Sequence, residues 1–229
     1  MERHFQRELE SLKTTIIKMA SLVEEAVGAS IRSLIEKDGD LANRIIKADE
    51  RINSLEIEVD NAIVDLLALQ QPVAIDLRLI LAANRINHDL ERIGDHAVNI
   101  AESDINLAAS AVNENLYELP RMAEIAQTML KKAIDGFIHN DPILEKWVLE
   151  QDDLIDDLNR KMAQSVLQRM KLDQNLIDDG MEIIRVSKNL ERIADLATNI
   201  AEDVIFITEA RVVKHHADEQ HPQVDPSQN

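Results

Sequence analysis

The chain has 229 residues, with 43 acidic against 25 basic side chains and a formal net charge of −18; 45% of residues are hydrophobic, 2% aromatic, and there is no Cys. Such a balance repels phosphate backbones and anionic lipid surfaces, and no basic stripe overrides it, so nucleic-acid binding is not expected. Without Cys there are no disulfides, thiolate metal sites or Cys nucleophiles, and with five Gly, five Pro and few aromatics the chain favours long helices over sheets.

Six helical segments follow from apolar spacing and breakers. The opening, MERHFQRELESLKTTI, is charged from its second residue and does not read as a secretory signal. The first helix is expected from about Phe5 to Lys37, with Leu12, Ile16, Met19, Val23, Val27, Ile31 and Leu34 on one face. Asp38-Gly39-Asp40 ends it, and Asp40 is placed to cap a second helix from Leu41 to about Gln70. Gln71-Pro72 breaks the chain before a third helix that runs to about Leu107. Residues 108–116 read as a linker. A fourth helix starts near Pro120 and stops at Asn140, and Asp141-Pro142 caps a fifth that ends near Met170. The sixth begins near Gln174 and fades after Val213. The tail HHADEQHPQVDPSQN is polar, and disorder fits it better than metal ligation by His215, His216 and His221. No stretch approaches 18 uncharged apolar residues, so no membrane span and a cytoplasmic location are expected.

The halves repeat. LERIGDHAVNIAE at 90–102 returns as LERIADLATNIAE at 190–202, identical at ten of thirteen positions. ADERINSLEIEV at 48–59 aligns with QDDLIDDLNRKM at 151–162, and Asp38 with Asp141, both at an offset of 103. The reading is all-α: two tandem, sequence-related three-helix bundles, residues 1–108 and 117–213, then the tail at 214–229.

The repeated polar residues call for a reason. With about 100° per residue and Glu91 at zero, Ile86, Leu90, Ile93, Ala97 and Ile100 lie between roughly 180° and 260°, the core stripe. Asp95 falls near ~40°, Asn99 near ~80°, Glu102 near ~20° and His88 near ~60°, opposite the core. Glu191, Asp195, Asn199 and Glu202 repeat this outward face. On the second helix Asp49, Asn53, Glu56 and Asp60 share a line beside the apolar stripe; on the fifth, Asp152, Asp156 and Asn159 do. Asp49 lies 23 residues before Pro72 and Asp95 lies 23 after it, so an antiparallel hairpin sets them level, and Asn53 level with Glu91. About the turn near Asp173, Asp152 is level with Asp195 and Asp156 with Glu191, to within about a residue.

Carboxylates at i, i+4 are about 6 Å apart at Cβ and cost a helix about 0.2–0.5 kcal/mol. Two such pairs side by side, in both repeats, imply a compensating cation. An all-oxygen donor set suits Mg²⁺, Ca²⁺, Mn²⁺ or iron, and Zn²⁺ also takes carboxylates. Asn99, Asn199, Glu102 and Glu202 could extend the site. The bland alternative is a solvated acidic face paired with Arg92 and Arg192. His88 and His96, replaced by Lys188 and Leu196 in the second repeat, read as surface residues.

From the opening HFQRELESL to about Thr208 the chain resembles the PhoU family of phosphate-transport regulators, most specifically in the duplicated E(D)-x-x-x-D motif that follows DERINSLE and DDLIDDL. The resemblance implies metal clusters, often of iron or zinc, held by Asp49, Glu91 and Asp95 in one repeat and by Asp152, Asp156, Glu191 and Asp195 in the other. Asn53 stands where a carboxylate belongs, which weakens the first site. It also implies a non-enzymatic adapter between the ATPase and membrane subunits of a phosphate ABC transporter and a sensor histidine kinase. That adapter represses the phosphate-starvation response when phosphate is plentiful, commonly as a homodimer. Two other readings stay open. A ferritin-like di-metal enzyme would need Glu-x-x-His pairs facing the bundle core. A plain helical scaffold would bind no metal.

Overall fold

In the computed structural model, residues 2–70, 72, 74–107 and 118–209 are described. They form α1 (Glu2–Glu36), α2 (Gly39–Gln70), α3 (Ala74–Leu107), α4 (Leu119–His139), α5 (Pro142–Leu172) and α6 (Ile177–Glu209), with one 3₁₀ turn, Gln174–Leu176, before α6. The expected linker at 108–116 and the tail at 214–229 lie outside the described residues.

The repeat extends to backbone detail. α1 and α4 end in the left-handed region, at Lys37 (φ 55°) and Asn140 (φ 53°), again 103 residues apart. The next amide closes each turn: Asp38 N–H donates to the Ser33 carbonyl (3.0 Å), and Asp141 N–H to the Gly136 carbonyl (3.1 Å). The same two aspartates cap the following helices. Asp38 Oδ1 accepts from Leu41 N–H and Asp141 Oδ1 from Ile143 N–H, both at 2.9 Å. The expected cap at Asp40 is therefore corrected to Asp38; Asp40 lies inside the first turn of α2, where a negative charge suits the helix dipole. The sixth helix also starts later than expected, because Asp173 first holds the Asn175 amide N–H in a short turn.

Within each repeat the three helices pack on one another, and α3 packs along α6 across the repeats. Ile16, Met19, Leu55, Ile86, Leu90, Ile93, Met122, Met129, Leu130 and Ile155 are fully buried, in one apolar cluster that runs through both bundles. Each such side chain contributes about 1.5–3 kcal/mol of transfer free energy, which fixes the rotation of every helix and thus where its polar face points.

α3 and α6 are antiparallel, tied by matching residues of the two repeats. Arg85 pairs with Asp203 (2.6 Å), and Arg185 Nη2 donates to Glu102 (2.6 Å) and Asn99 (3.0 Å). His96 Nδ1 meets Asn189 Oδ1 at 2.8 Å. His96 is thus half-buried in this seam and not a surface residue as expected; a helical wheel shows one helix and cannot see α6 lying against it. Burial lowers the His96 pKa, opposed by the Asn189 hydrogen bond.

One buried acid sits apart from the carboxylate lines. Glu145 of α5 is fully enclosed, and neither carboxylate oxygen has a hydrogen-bond partner. It presses on Gly136 of α4, where an added Cβ would stand 1.8 Å from Glu145 Oε1. Burial, helped by the charge of Asp141, pushes this carboxyl up to about 9. A raised folded-state value means that its stabilising share is full below the ordinary value of 4.5 and is lost as pH climbs towards about 9. Glu145→Gln should match the parent near pH 5 and exceed it by about 1–3 kcal/mol near pH 8 in chemical denaturation. A gap independent of pH would contradict this account.

Candidate metal centre

The α5–α6 hairpin brings most of the second acidic set together. One carboxylate oxygen from each of Asp156, Glu191 and Asp195 lies within 4.8 Å of the other two. Glu191 does not face out as expected. It is only 7% exposed, set beside Asp156 of α5 and the Lys188 and Arg192 side chains of its own helix. Lys188 binds its Oε1, but Oε2 is buried with no hydrogen-bond partner, and Arg192 Nε is 3.8 Å away. Arg192 Nη1 pairs with Asp195 Oδ2 at 2.9 Å. Asp152 stands one turn off, accepting from the Thr198 hydroxyl (3.2 Å). Asp152, Asp195, Thr198, Asn199, Arg192 and, from the other repeat, Arg92 line a polar basin of about 280 Å³.

The electrostatics agree with crowding of like charges. Asp195 is pushed up to about 6, first by burial, then by Glu191, Asp152 and Asp156, against the pull of Arg192. Asp49 and Glu91 are also raised, mainly by burial and then by neighbouring acids: Asp95 acts on both, and Glu56 and Asp49 on Glu91.

The first repeat is arranged differently. Asn53 Nδ2 donates to Asp49 Oδ2 (3.0 Å), so the amide that replaces a carboxylate occupies its neighbour. Oδ1 of both residues is buried without a partner. Asp49 comes close to α3 because position 94 is Gly; a Cβ there would stand 3.2 Å from both Asp49 Oδ1 and Ile52. Asp95 is exposed. Asp49, Glu91 and Asp95 do not converge as tightly as the second set. Asn99 and Glu102 are held by Arg185 in the seam and do not extend the acidic line.

Comparison with known proteins places the fold that carries these residues. The model of the PhoU domain matches twice, over residues 16–103 and 119–204. The chain belongs to the PhoU family. A PhoU homolog of Aquifex aeolicus, named a phosphate-specific transport system accessory protein, is 37% identical over 91% of this chain and 95% of its own length. The Pseudomonas aeruginosa protein of the same name is 33% identical over 94% and 89%. Crystal structures of PhoU from P. aeruginosa and of the phosphate transport system regulatory protein PhoU from Streptococcus pneumoniae superpose with TM-scores of 0.88 and 0.85. They share 34% and 27% identity, and cover 90% and 92% of this chain and all of theirs.

Within this PhoU fold one group was not anticipated as a site. Glu56, Asp60 and His88 bring ligand atoms within 4.8 Å of one another. His88 Nδ1 is 3.0 Å from Glu56 Oε1. The signal was in the register: Glu56 lies 16 residues before Pro72 and His88 lies 16 after. It is hidden when only residues shared by both repeats are followed, because His88 aligns with Lys188.

The raised Asp195 gives a stability test. Its stabilising share is full below the ordinary 3.8 and is lost as pH rises through about 6. In chelator at pH 7.5, Asp195→Asn should raise Tm by about 2–4 °C, the shift expected of about 1 kcal/mol in a chain this size. The gain should shrink towards pH 4.5 in calorimetry; a destabilised variant at pH 7.5 would contradict it.

Proposed function

We propose that this PhoU-family chain is a non-enzymatic accessory regulator of phosphate uptake. It connects the ATPase and membrane subunits of a phosphate ABC transporter to a sensor histidine kinase. It represses the phosphate-starvation response when phosphate is plentiful, acting in the cytoplasm as a homodimer. One observation carries the reading: relatives named for the phosphate-specific transport system match nearly the whole chain at up to 37% identity. No helix is long and apolar enough to cross a membrane among the described residues, so attachment to the transporter would be peripheral.

The adapter also holds metal ions. The donor set fits a hard or borderline cation: Asp156, Glu191 and Asp195 converge through oxygen atoms, and Glu191 Oε2 is a buried acceptor with no hydrogen bond and only a long ion pair to Arg192 Nε at 3.8 Å. Asp152 and Asn199 stand beside them. Asp49, Asn53, Glu91 and Asp95 form the weaker counterpart. Iron, zinc, manganese and magnesium are the candidates. A bound ion supplies positive charge that cancels the repulsion and ties α5 to α6. The protein residues fix where that charge sits.

A pull-down from phosphate-replete cells, with and without chelator, tests this. Recovery of the transporter ATPase or a histidine kinase, reduced by chelator and by Glu191→Gln with Asp195→Asn, is the expected result. Failure to recover either partner would overturn the adapter. Recovery that is indifferent to chelator and to the double variant would remove the metal from its mechanism. Oxygen-dependent iron oxidation by the purified protein would favour a di-metal enzyme instead.

A further inference from the structure

We propose that Glu56, Asp60 and His88 form a separate divalent-cation site, confined to the first repeat, which prefers a borderline transition ion such as Zn²⁺ to Mg²⁺. None of the three belongs to the duplicated acidic motif, so the site stands or falls independently of the centre on α5 and α6.

Glu56 and Asp60 are i, i+4 on α2 and half-buried, and His88 stands level with Glu56 on α3. Two carboxylates so placed repel, and His88 already draws on one of them, with Nδ1 at 3.0 Å from Glu56 Oε1. A cation bound between them satisfies both acids and the ring nitrogen together, with the imidazole proton carried on Nε2. An imidazole with two carboxylates gives three protein ligands and leaves a position for water, a set that zinc accepts and magnesium does not favour.

A second observation lies beneath the cluster. Asn87 is completely buried, and its amide is aimed into the group. Nδ2 donates to Asp60 Oδ1 (2.9 Å) and to the Glu56 carbonyl (3.1 Å), while Oδ1 is buried without a partner. A hydrogen bond from a buried amide to a carboxylate is how proteins orient metal ligands, because it locks the rotamer and leaves the other oxygen for the ion.

The second repeat has lost each element. Asn159, Ala163 and Lys188 occupy the aligned positions, the Ser187 hydroxyl takes the Asn159 oxygen (2.7 Å), and Lys188 binds Glu191. Where the second repeat places a fixed cation, the first places a ligand for one.

The test uses full-length protein with Glu91→Gln, Asp95→Asn, Glu191→Gln and Asp195→Asn to disable the motif in both repeats, and with His215, His216 and His221 replaced by Gln to remove tail chelation. Calorimetric titration with Zn²⁺ should show one site. Adding His88→Ala or His88→Lys should weaken it at least ~10-fold, with Mg²⁺ binding far weaker than Zn²⁺ throughout. Co²⁺ should give a visible band that the His88 variants lose. Thermal unfolding by circular dichroism shows that each variant is folded, as expected for an exposed histidine. No Zn²⁺ binding before His88 is changed, or unaltered binding afterwards, would overturn the site.

Discussion

Carboxylates held at one level on neighbouring antiparallel helices are the constraint on which the rest of this structure depends. Each i, i+4 acid pair costs a helix only about 0.2–0.5 kcal/mol in water. Removal from water multiplies that cost, and here Glu191 is only 7% exposed, with one oxygen that makes no hydrogen bond and only a long ion pair to Arg192. The fold tolerates this because α5 and α6 are pinned elsewhere, by Ile155, Leu158, Leu190, Ile193 and Ala197 in the shared core. Apolar burial fixes the rods, and the rods hold the acids against their own repulsion. A face of this kind is a standing demand for positive charge.

The α3–α6 seam turns two repeats into one object. Arg85 and Arg185 occupy the same place in each repeat and reach across in opposite directions, to Asp203 and to Glu102 with Asn99. Arg92, from the first repeat, lines the basin of the second repeat's acids. Charge added or withdrawn at Asp195 is therefore felt by a side chain of the other half. The seam therefore couples the charge state of one repeat to side chains of the other.

Much of this was legible in the chain itself. The apolar stripes placed Leu90, Ile93 and Ile100 in the core, and Pro72 and Asp173 located the turns from which the acid levels were counted. What single-helix geometry could not supply was the neighbour. His96 was assigned to solvent because nothing in a helical wheel places α3 against α6, and Glu191 because the wheel does not show α5 with Asp156 beside it. Asn99 and Glu102 were grouped with the acids because Arg185 lies 83 to 86 residues away in sequence. The Asp38 cap lies two residues before the one expected, a distinction decided by the left-handed Lys37. The Glu56–Asp60–His88 group escaped because duplication, the strongest signal in the sequence, draws attention to what the repeats share.

The most direct measurement is a double-mutant cycle between helices: Asp156→Asn on α5, Asp195→Asn on α6 and the pair, unfolded by denaturant in chelator at pH 7.5. If the two acids are forced together, each change relieves the same repulsion. The double variant should then gain less than the sum by about 0.5–1 kcal/mol, and a saturating divalent cation should reverse the order of stability. Strict additivity, with the parent unaffected by cation, would contradict the account.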